Sequence, residues 1–435
     1  MILVFYFFAV VLILLSLKSL YGGFEYLRFF KDKLAKPSSQ FTPFATVIAP
    51  CRGLDDGLAE NLRAIVEQDY PHYEVIFVVD DETDETVPVI SDLLHRRDAE
   101  TQRNEAGAEL ESDELNLIQT FNSDLASLRL CGEKLVSSKL IVAGKADGCS
   151  QKVENLREAV LYARPESQAF VFVDSDVRPS SNWLKDLIAP LEDESVGAAT
   201  GYRWFISKQP SFGSEMRSVW NASIASALGP NTNSNFCWGG SMAIRRDVFE
   251  KIDMRGKWLG TLSDDFAVTR RMNELQRPIV FVPQAVTASV ENCTFGEMLE
   301  FTARQMKITR VYAPPLWLLS FFGSGLFNAV MIAALLIVIF SRGYDLAFFG
   351  AVATLVIVSV CSIGKAWQRL NAVRLVLTQY EPELRRQLVP QNVLWILTPL
   401  VFFYNAAAAS VSRQMTWRGT RYRLKSPTET VIIAD

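Results

Sequence analysis

Histidine is nearly missing from this 435-residue sequence, which has only His72 and His95. That scarcity argues against a Ser-His-Asp hydrolase, and no Cys/His spacing suited to zinc competes with it. His72, between Pro71 and Tyr73, reads as a surface turn residue rather than a catalyst. The six cysteines lack paired spacing, so reduced thiols are expected rather than a disulfide framework. There is no basic excess either. The formal net charge is −4 and no basic aromatic repeat occurs, so nucleic acid is not an expected partner.

Apolar residues are abundant: 49% of the chain, 28 of them phenylalanine, with a mean hydropathy of +0.13. They are also clustered, because residues 2–17, 316–340, 346–363 and 393–411 carry no charge at all. A bilayer-spanning helix needs about 20 such residues. The first block is expected to be a retained anchor over residues 1–22: it has no basic leader, and no small-residue cleavage site follows it. Arg28, Lys31, Lys33 and Lys36 come directly after, which places the large polar segment in the cytoplasm. Three membrane crossings within 316–412 would then put the tail outside, yet residues 413–435 hold Arg413, Arg418, Arg421, Arg423 and Lys425. One block is therefore expected to lie in the interface or re-enter, and Pro399 with Asn405 points to 393–411.

Between these blocks, residues 44–310 alternate strand and helix patterns. Ala45–Pro50 and Val75–Val79 are expected as buried strands around a helix in 55–69, and a further strand follows at Lys139–Ala143. The mixed-charge stretch 96–138 reads as an insertion without chemistry. A helix over Lys152–Arg164 leads into Phe170-Val171-Phe172-Val173, apolar on both faces, which delivers Asp174 and Asp176 at its end. Residues 208–230 suit the membrane surface, the wall of an acceptor groove or an ordinary surface helix, and Ser263 is expected to cap a helix. The pattern is that of an α/β fold, in which ligands bind at the carboxyl ends of the strands. At about 4 Å, two like charges repel by roughly 4 kcal/mol at an effective dielectric of ~20. A divalent ion removes that cost, and oxygen ligands suit Mg²⁺ or Mn²⁺.

Carboxylates thus come in three clusters at element ends: Asp80, Asp81 and Asp84; Asp174 and Asp176; Asp264 and Asp265. Transfer from a nucleoside diphosphate would employ all three. The first can bind base or ribose, the second a metal diphosphate, and the third can take a proton from an incoming hydroxyl.

Several segments resemble family 2 glycosyltransferases, most closely the ceramide glucosyltransferases. They are Leu62-Arg63-Ala64, Gln68 to Val75, Gly144-Lys145 with Gly148, Lys152, Asn155 and Leu156, Asp174-Ser175-Asp176, Leu262 to Phe266, and Thr416 to Leu424. The resemblance implies a GT-A nucleotide-sugar-binding domain, a mixed, mostly parallel sheet with flanking helices, plus N- and C-terminal transmembrane helices. It further implies an inverting transfer from a UDP-sugar, usually UDP-glucose, to a lipid hydroxyl such as that of ceramide, with Mg²⁺ or Mn²⁺ at Asp174 and Asp176. By the same resemblance Asp265, beside Asp264, is the base. Asp80, Asp81, Asp84, Lys152, Asp174, Arg304, Lys307, Trp417, Arg418 and Arg421 meet the substrate. The family's Q/R-x-x-R-W motif is altered in Arg304-Gln305-Met306-Lys307-Ile308, where Lys replaces the second Arg and Ile the Trp. A polysaccharide synthase of the same fold and a non-catalytic nucleotide-sugar-binding subunit are the alternatives.

Overall fold

The computed structural model describes residues 2–96 and 135–433. The reading of 96–138 as an insertion falls largely outside them. Helix α1, Ile2–Leu34, is long and apolar enough to cross a membrane, and its C-terminal end packs against the sheet domain. Phe30 is fully buried there, with Phe29 and Phe30 packing on Phe281 at 6.2 and 6.0 Å.

The chain then builds a seven-stranded sheet. In order come β1 (Ala45–Pro50), α2 (Leu58–Val66), β2 (His72–Val79), α3 (86–96), β3 (Leu135–Val142) and α4 (Gln151–Ala159). After β4 (Ala169–Val173) follow α5 (Trp183–Ile188), β5 (Ala198–Ile206), α6 (Phe212–Ala225), β6 (Ser241–Arg245), α7 (Asp264–Glu274) and β7 (Ile279–Val290). The spatial order is β3-β2-β1-β4-β6-β5-β7. All neighbours run parallel except β6, which is antiparallel to both β4 and β5. Every residue of β4 is buried, as its unbroken apolar run requires. Strands β5 and β7 continue together past a bulge at Thr200/Tyr202.

Helix α6 is not an ordinary surface helix. Most of its residues are buried, wedged between β5 and the helices that approach the membrane. Those are α8 (Phe295–Tyr312), α9 (Pro314–Phe340), α10 (Leu346–Arg374), α11 (Leu388–Val393) and α12 (Thr398–Val411). Helices α9 and α10 have the length and apolarity of membrane spans. Helix α10 lies beside α1 in the same direction. The Tyr6 hydroxyl donates to the Leu346 carbonyl at 2.9 Å, and Leu20 sits where a Cβ on Gly364 would come within 2.7 Å of it.

The fourth apolar block is broken, as Pro399 suggests: residues 388–396 and Thr398–Val411 meet at a bend of 57°. The domain holds both ends of the pair. Trp204 Nε1 donates to Gln387 at 2.8 Å on one side, and Arg310 donates to the Ala409 carbonyl on the other. The chain therefore turns back to the face it left, and the tail lies on the side of the sheet. That tail is not a loose basic segment. It forms a three-stranded sheet of β8 (Gln414–Trp417), β9 (Thr420–Ser426) and β10 (Glu429–Ile433).

Candidate active site

The strand order reverses between β1 and β4, and a cavity of about 440 Å³ opens at their carboxyl ends. Its floor comes from β4: Asp174, Ser175 and Asp176 leave the strand together. Lys152, in the first turn of α4, places Nζ 2.6 Å from Asp174 and 3.3 Å from Asp264. Arg203, in mid-β5, spans Asp174 and Asp176 at 3.1 and 3.0 Å and stacks on Trp238 at 4.7 Å. Three carboxylates thus share two buried cations, and burial alone would make that arrangement costly. Burial works to strip the Lys152 proton, but Asp174, Asp264 and Asp265 outweigh it and hold the ammonium charged. At Asp176 burial favours the neutral acid, but Arg203 prevails and keeps the carboxylate ionised. Asp264 is pushed up to about 6 by burial, against the pull of Lys152.

A glycine pair lets these groups approach. A Cβ on Gly239 would lie 2.1 Å from Asp264 Oδ2, and one on Gly240 would lie 2.7 Å from Asp174 Oδ2. Gly239 N also donates to Asp265 Oδ2 at 3.2 Å, while Phe266 N and the Ser263 hydroxyl hold Oδ1. Ser263 caps α7 as its sequence position suggests. The Tyr312 hydroxyl accepts from the backbone of Leu262 at 2.8 Å and fixes the turn from the direction of the membrane helices.

The C-terminal sheet covers the cavity. Arg418 and Gly419 take left-handed conformations, φ 49° and 77°, at the tight turn between β8 and β9. From that turn Arg418 reaches Asp55 in the loop after β1, and Trp417 lies 5.6 Å from Arg304. The Tyr422 hydroxyl accepts from Gln151 N at 3.3 Å. Arg304 is mostly buried, sits over Phe301 at 5.5 Å and has no ion pair among the described residues. Burial draws its pKa down to about 10, so the guanidinium stays charged and without a counterion.

Of the residues singled out in the sequence, Lys152, Asp174, Asp176, Asp264, Asp265, Arg304, Trp417 and Arg418 line this cavity together. Asp80, Asp81, Asp84, Lys307 and Arg421 do not. Asp80 is buried against Lys145 at 3.0 Å, and Asp84 accepts from Gly53 N at 3.0 Å and from Thr86. The Thr83 hydroxyl and amide hold the Asp81 carboxyl down at about 2. All three stand behind the loop that carries Arg52, which itself lines the cavity. Lys307 donates to the Gln414 carbonyl at 2.7 Å and, with Arg421, borders a separate depression between α8 and the tail. Arg203, Arg217, Asp55 and Glu291 are lining residues that the sequence reading missed. Arg203 carried a usable signal: a charge inside the otherwise apolar strand Tyr202-Arg203-Trp204-Phe205-Ile206 has to be paired when buried.

No group of three or more His, Cys, Asp or Glu side chains suited to a metal occurs among the described residues. The pair Asp174 and Asp176 nevertheless fits a hard divalent ion. It offers oxygen alone, and Asp176 Oδ1 is buried without a hydrogen-bond partner. Mg²⁺-type ions are commonly held by one or two carboxylates, with phosphates and water completing the shell.

A second cavity, of about 710 Å³, adjoins the first. Arg203, Trp238, Asp265, Phe266, Phe301 and Gln305 line both. From this neck it extends past Trp220 and Ile224 of α6 to Leu316 and Ser320 on α9 and Phe402 on α12. One end therefore touches the carboxylate of Asp265, and the other reaches the first turns of a candidate membrane span.

Among known families, the model described as Glycosyl transferase family 21 matches residues 4–101 and 134–430. Among curated proteins, a ceramide glucosyltransferase of Komagataella phaffii is 27% identical over 84 residues. That match spans 19% of this chain and 16% of the relative's own length. Among solved structures, the mannosyltransferase PcManGT from Pyrobaculum calidifontis, in complex with GDP-Man and Mn²⁺, is 16% identical with a TM-score of 0.41. The match covers 94% of this chain and 98% of that one. S. aureus TarS 1-349 is 12% identical with a TM-score of 0.33, over 90% and 99% of the two chains.

Proposed function

We propose a function from one premise: the chain belongs to glycosyl transferase family 21. It is a glycosyltransferase with candidate membrane helices at both ends of its catalytic domain. Within that class we infer that it moves a sugar, glucose by its resemblance, from a UDP-sugar to a lipid hydroxyl at the cytoplasmic leaflet. The observation that carries this reading is the position of Asp265, where a charged cavity meets a more apolar one that runs to the candidate membrane helices.

In this mechanism the nucleotide sugar lies in the smaller cavity with its diphosphate toward Arg304, Arg418 and Lys152. Arg304 gains the anion its buried guanidinium lacks. The lipid enters the larger cavity from the side of Leu316 and Ser320 and presents its hydroxyl at the neck. Asp265, its oxygens oriented by Gly239 N and Phe266 N, takes the hydroxyl proton as the oxygen attacks the anomeric carbon. The bond from that carbon to the diphosphate oxygen breaks, and the nucleoside diphosphate leaves with the electron pair. A single displacement of this kind inverts the anomeric centre. Asp174 and Asp176 would hold a Mg²⁺ or Mn²⁺ ion, which when bound neutralises charge on the departing diphosphate. Lys152 and Arg203 hold both carboxylates in place for it. Asp264 acts on Lys152 rather than on the substrate, because its Oδ1 faces the ammonium at 3.3 Å.

The test incubates purified protein with labelled UDP-sugars and ceramide, diacylglycerol or sterol acceptors, with Mn²⁺ or with EDTA. A lipid-linked sugar that depends on the metal is expected. If no pairing gives a product, the proposal fails.

A further inference from the structure

The neck between the two cavities is where an acceptor hydroxyl has to sit, and its walls are mostly committed. Trp238, Phe266 and Phe301 supply aromatic surface. Arg203 is held by Asp174 and Asp176, and the Asp265 oxygens accept from Gly239 N, Phe266 N and Ser263. Gln305 differs from these. It stands on α8 one residue after Arg304, lines both cavities, and its side-chain amide has no hydrogen-bond partner among the described residues. Outside the helical ladder, its backbone carbonyl accepts from the Thr309 hydroxyl at 2.8 Å.

A free amide in an aromatic neck acts as a filter. When a lipid fills the neck, water leaves, and the amide must find a partner on the lipid or stay unpaired at a cost. The same holds for any polar group on the lipid next to its reacting hydroxyl, since the aromatic walls offer it little. An acceptor with such a group satisfies both costs, and one with a single hydroxyl satisfies neither. The amide can donate and accept, so it suits an amide or a hydroxyl equally.

We propose that Gln305 is the acceptor-selecting residue: it pairs with a second polar group, an amide or hydroxyl borne one or two carbons along from the carbon that carries the reacting hydroxyl, and disfavours lipids that lack it. The inference rests on the transfer reading above and adds to it the residue that reads the acceptor. A site built around a hydrogen bond rejects the analogue lacking the partner far better than an apolar pocket rejects a wrong shape.

The experiment measures kcat/KM for two chain-matched acceptors, an N-acyl amino alcohol and a straight-chain primary alcohol, with saturating nucleotide sugar. The wild type is expected to favour the first. Gln305→Leu, close in volume and without polar atoms, should cut that preference by about tenfold. Folding is checked by thermal melt. If the leucine variant does not fold, Gln305→Met serves instead: it is unbranched and close in length but carries no amide, and the ratio must again fall. An unchanged ratio in a folded variant overturns this inference alone. Transfer to neither acceptor by the wild type overturns the transfer reading and this inference with it.

Discussion

The two cavities that meet at Asp265 are built on opposite principles. The smaller is charged: two cations and three carboxylates, mostly buried, hold one another in place, and Arg304 has no ion pair among the described residues. The larger has aromatic and aliphatic side chains from α6, α8, α9 and α12 on one side, and on the other a polar flank from residues 233–235 and α7 that includes Asn233, Arg270, Asn273 and Glu274. A charged cavity that has paid its desolvation cost in the fold can stabilise charge that develops on a leaving diphosphate. An apolar cavity open toward membrane helices can take an acyl chain without any such preorganisation. On this reading the two substrates differ as the two cavities do, and each variant below should disturb one side and spare the other.

The largest effect is expected at the point they share. Asp265→Asn removes the proton acceptor but keeps a side chain of the same shape, and should lower kcat by about 10²- to 10⁴-fold. Nucleotide binding, followed by calorimetry, should change little. Arg304→Ala acts on the charged side, and loss of one charge-assisted contact should weaken UDP binding by about tenfold or more. Acceptor KM serves as its control and is expected to stay close to wild type. Ser320→Phe acts on the apolar side near the membrane. Overfilling the cavity should raise acceptor KM by about tenfold while UDP affinity holds. The smallest effect is expected for Lys307→Ala. Its ammonium faces the Gln414 carbonyl and the outer depression, so activity should fall by less than about threefold. A loss of a hundredfold there would mean that the altered motif still reaches the donor.

The charged cavity was largely legible in the sequence, and the larger one only in its α6 wall, where the aromatic stretch 208–230 suits an acceptor groove. Asp174, Asp176, Asp264 and Asp265 sit at the ends of a strand and a helix whose local patterns are plain, so their convergence follows from the fold class. Their counter-charges are split. Lys152 lies in a recognisable helix start, but Arg203 is hidden in mid-strand, and its pairing appears only when β5 is laid beside β4 and β6. The apolar cavity is assembled from residues as distant as Trp220 and Phe402, which stack at 4.9 Å, and no short stretch carries a trace of that. The tail shows a different failure. Thr420-Arg421-Tyr422-Arg423-Leu424 alternates buried Tyr422 and Leu424 with exposed arginines, a strand period that its positive charge concealed. The break in the fourth apolar block was legible because proline is a local signal, and Pro399 stands close to the observed bend.

The central claim is that the lipid lies in the cavity between α6, α8 and α9 with its hydroxyl at Asp265. A photoreactive lipid alcohol with a diazirine in its acyl chain tests this most directly, cross-linked to the full chain in vesicles with UDP present and mapped by mass spectrometry. The account predicts adducts at Leu316, Ser320 or Phe402 that disappear in Ser320→Phe. Adducts confined to the outer faces of α1 and α10, unchanged by that substitution, would contradict it.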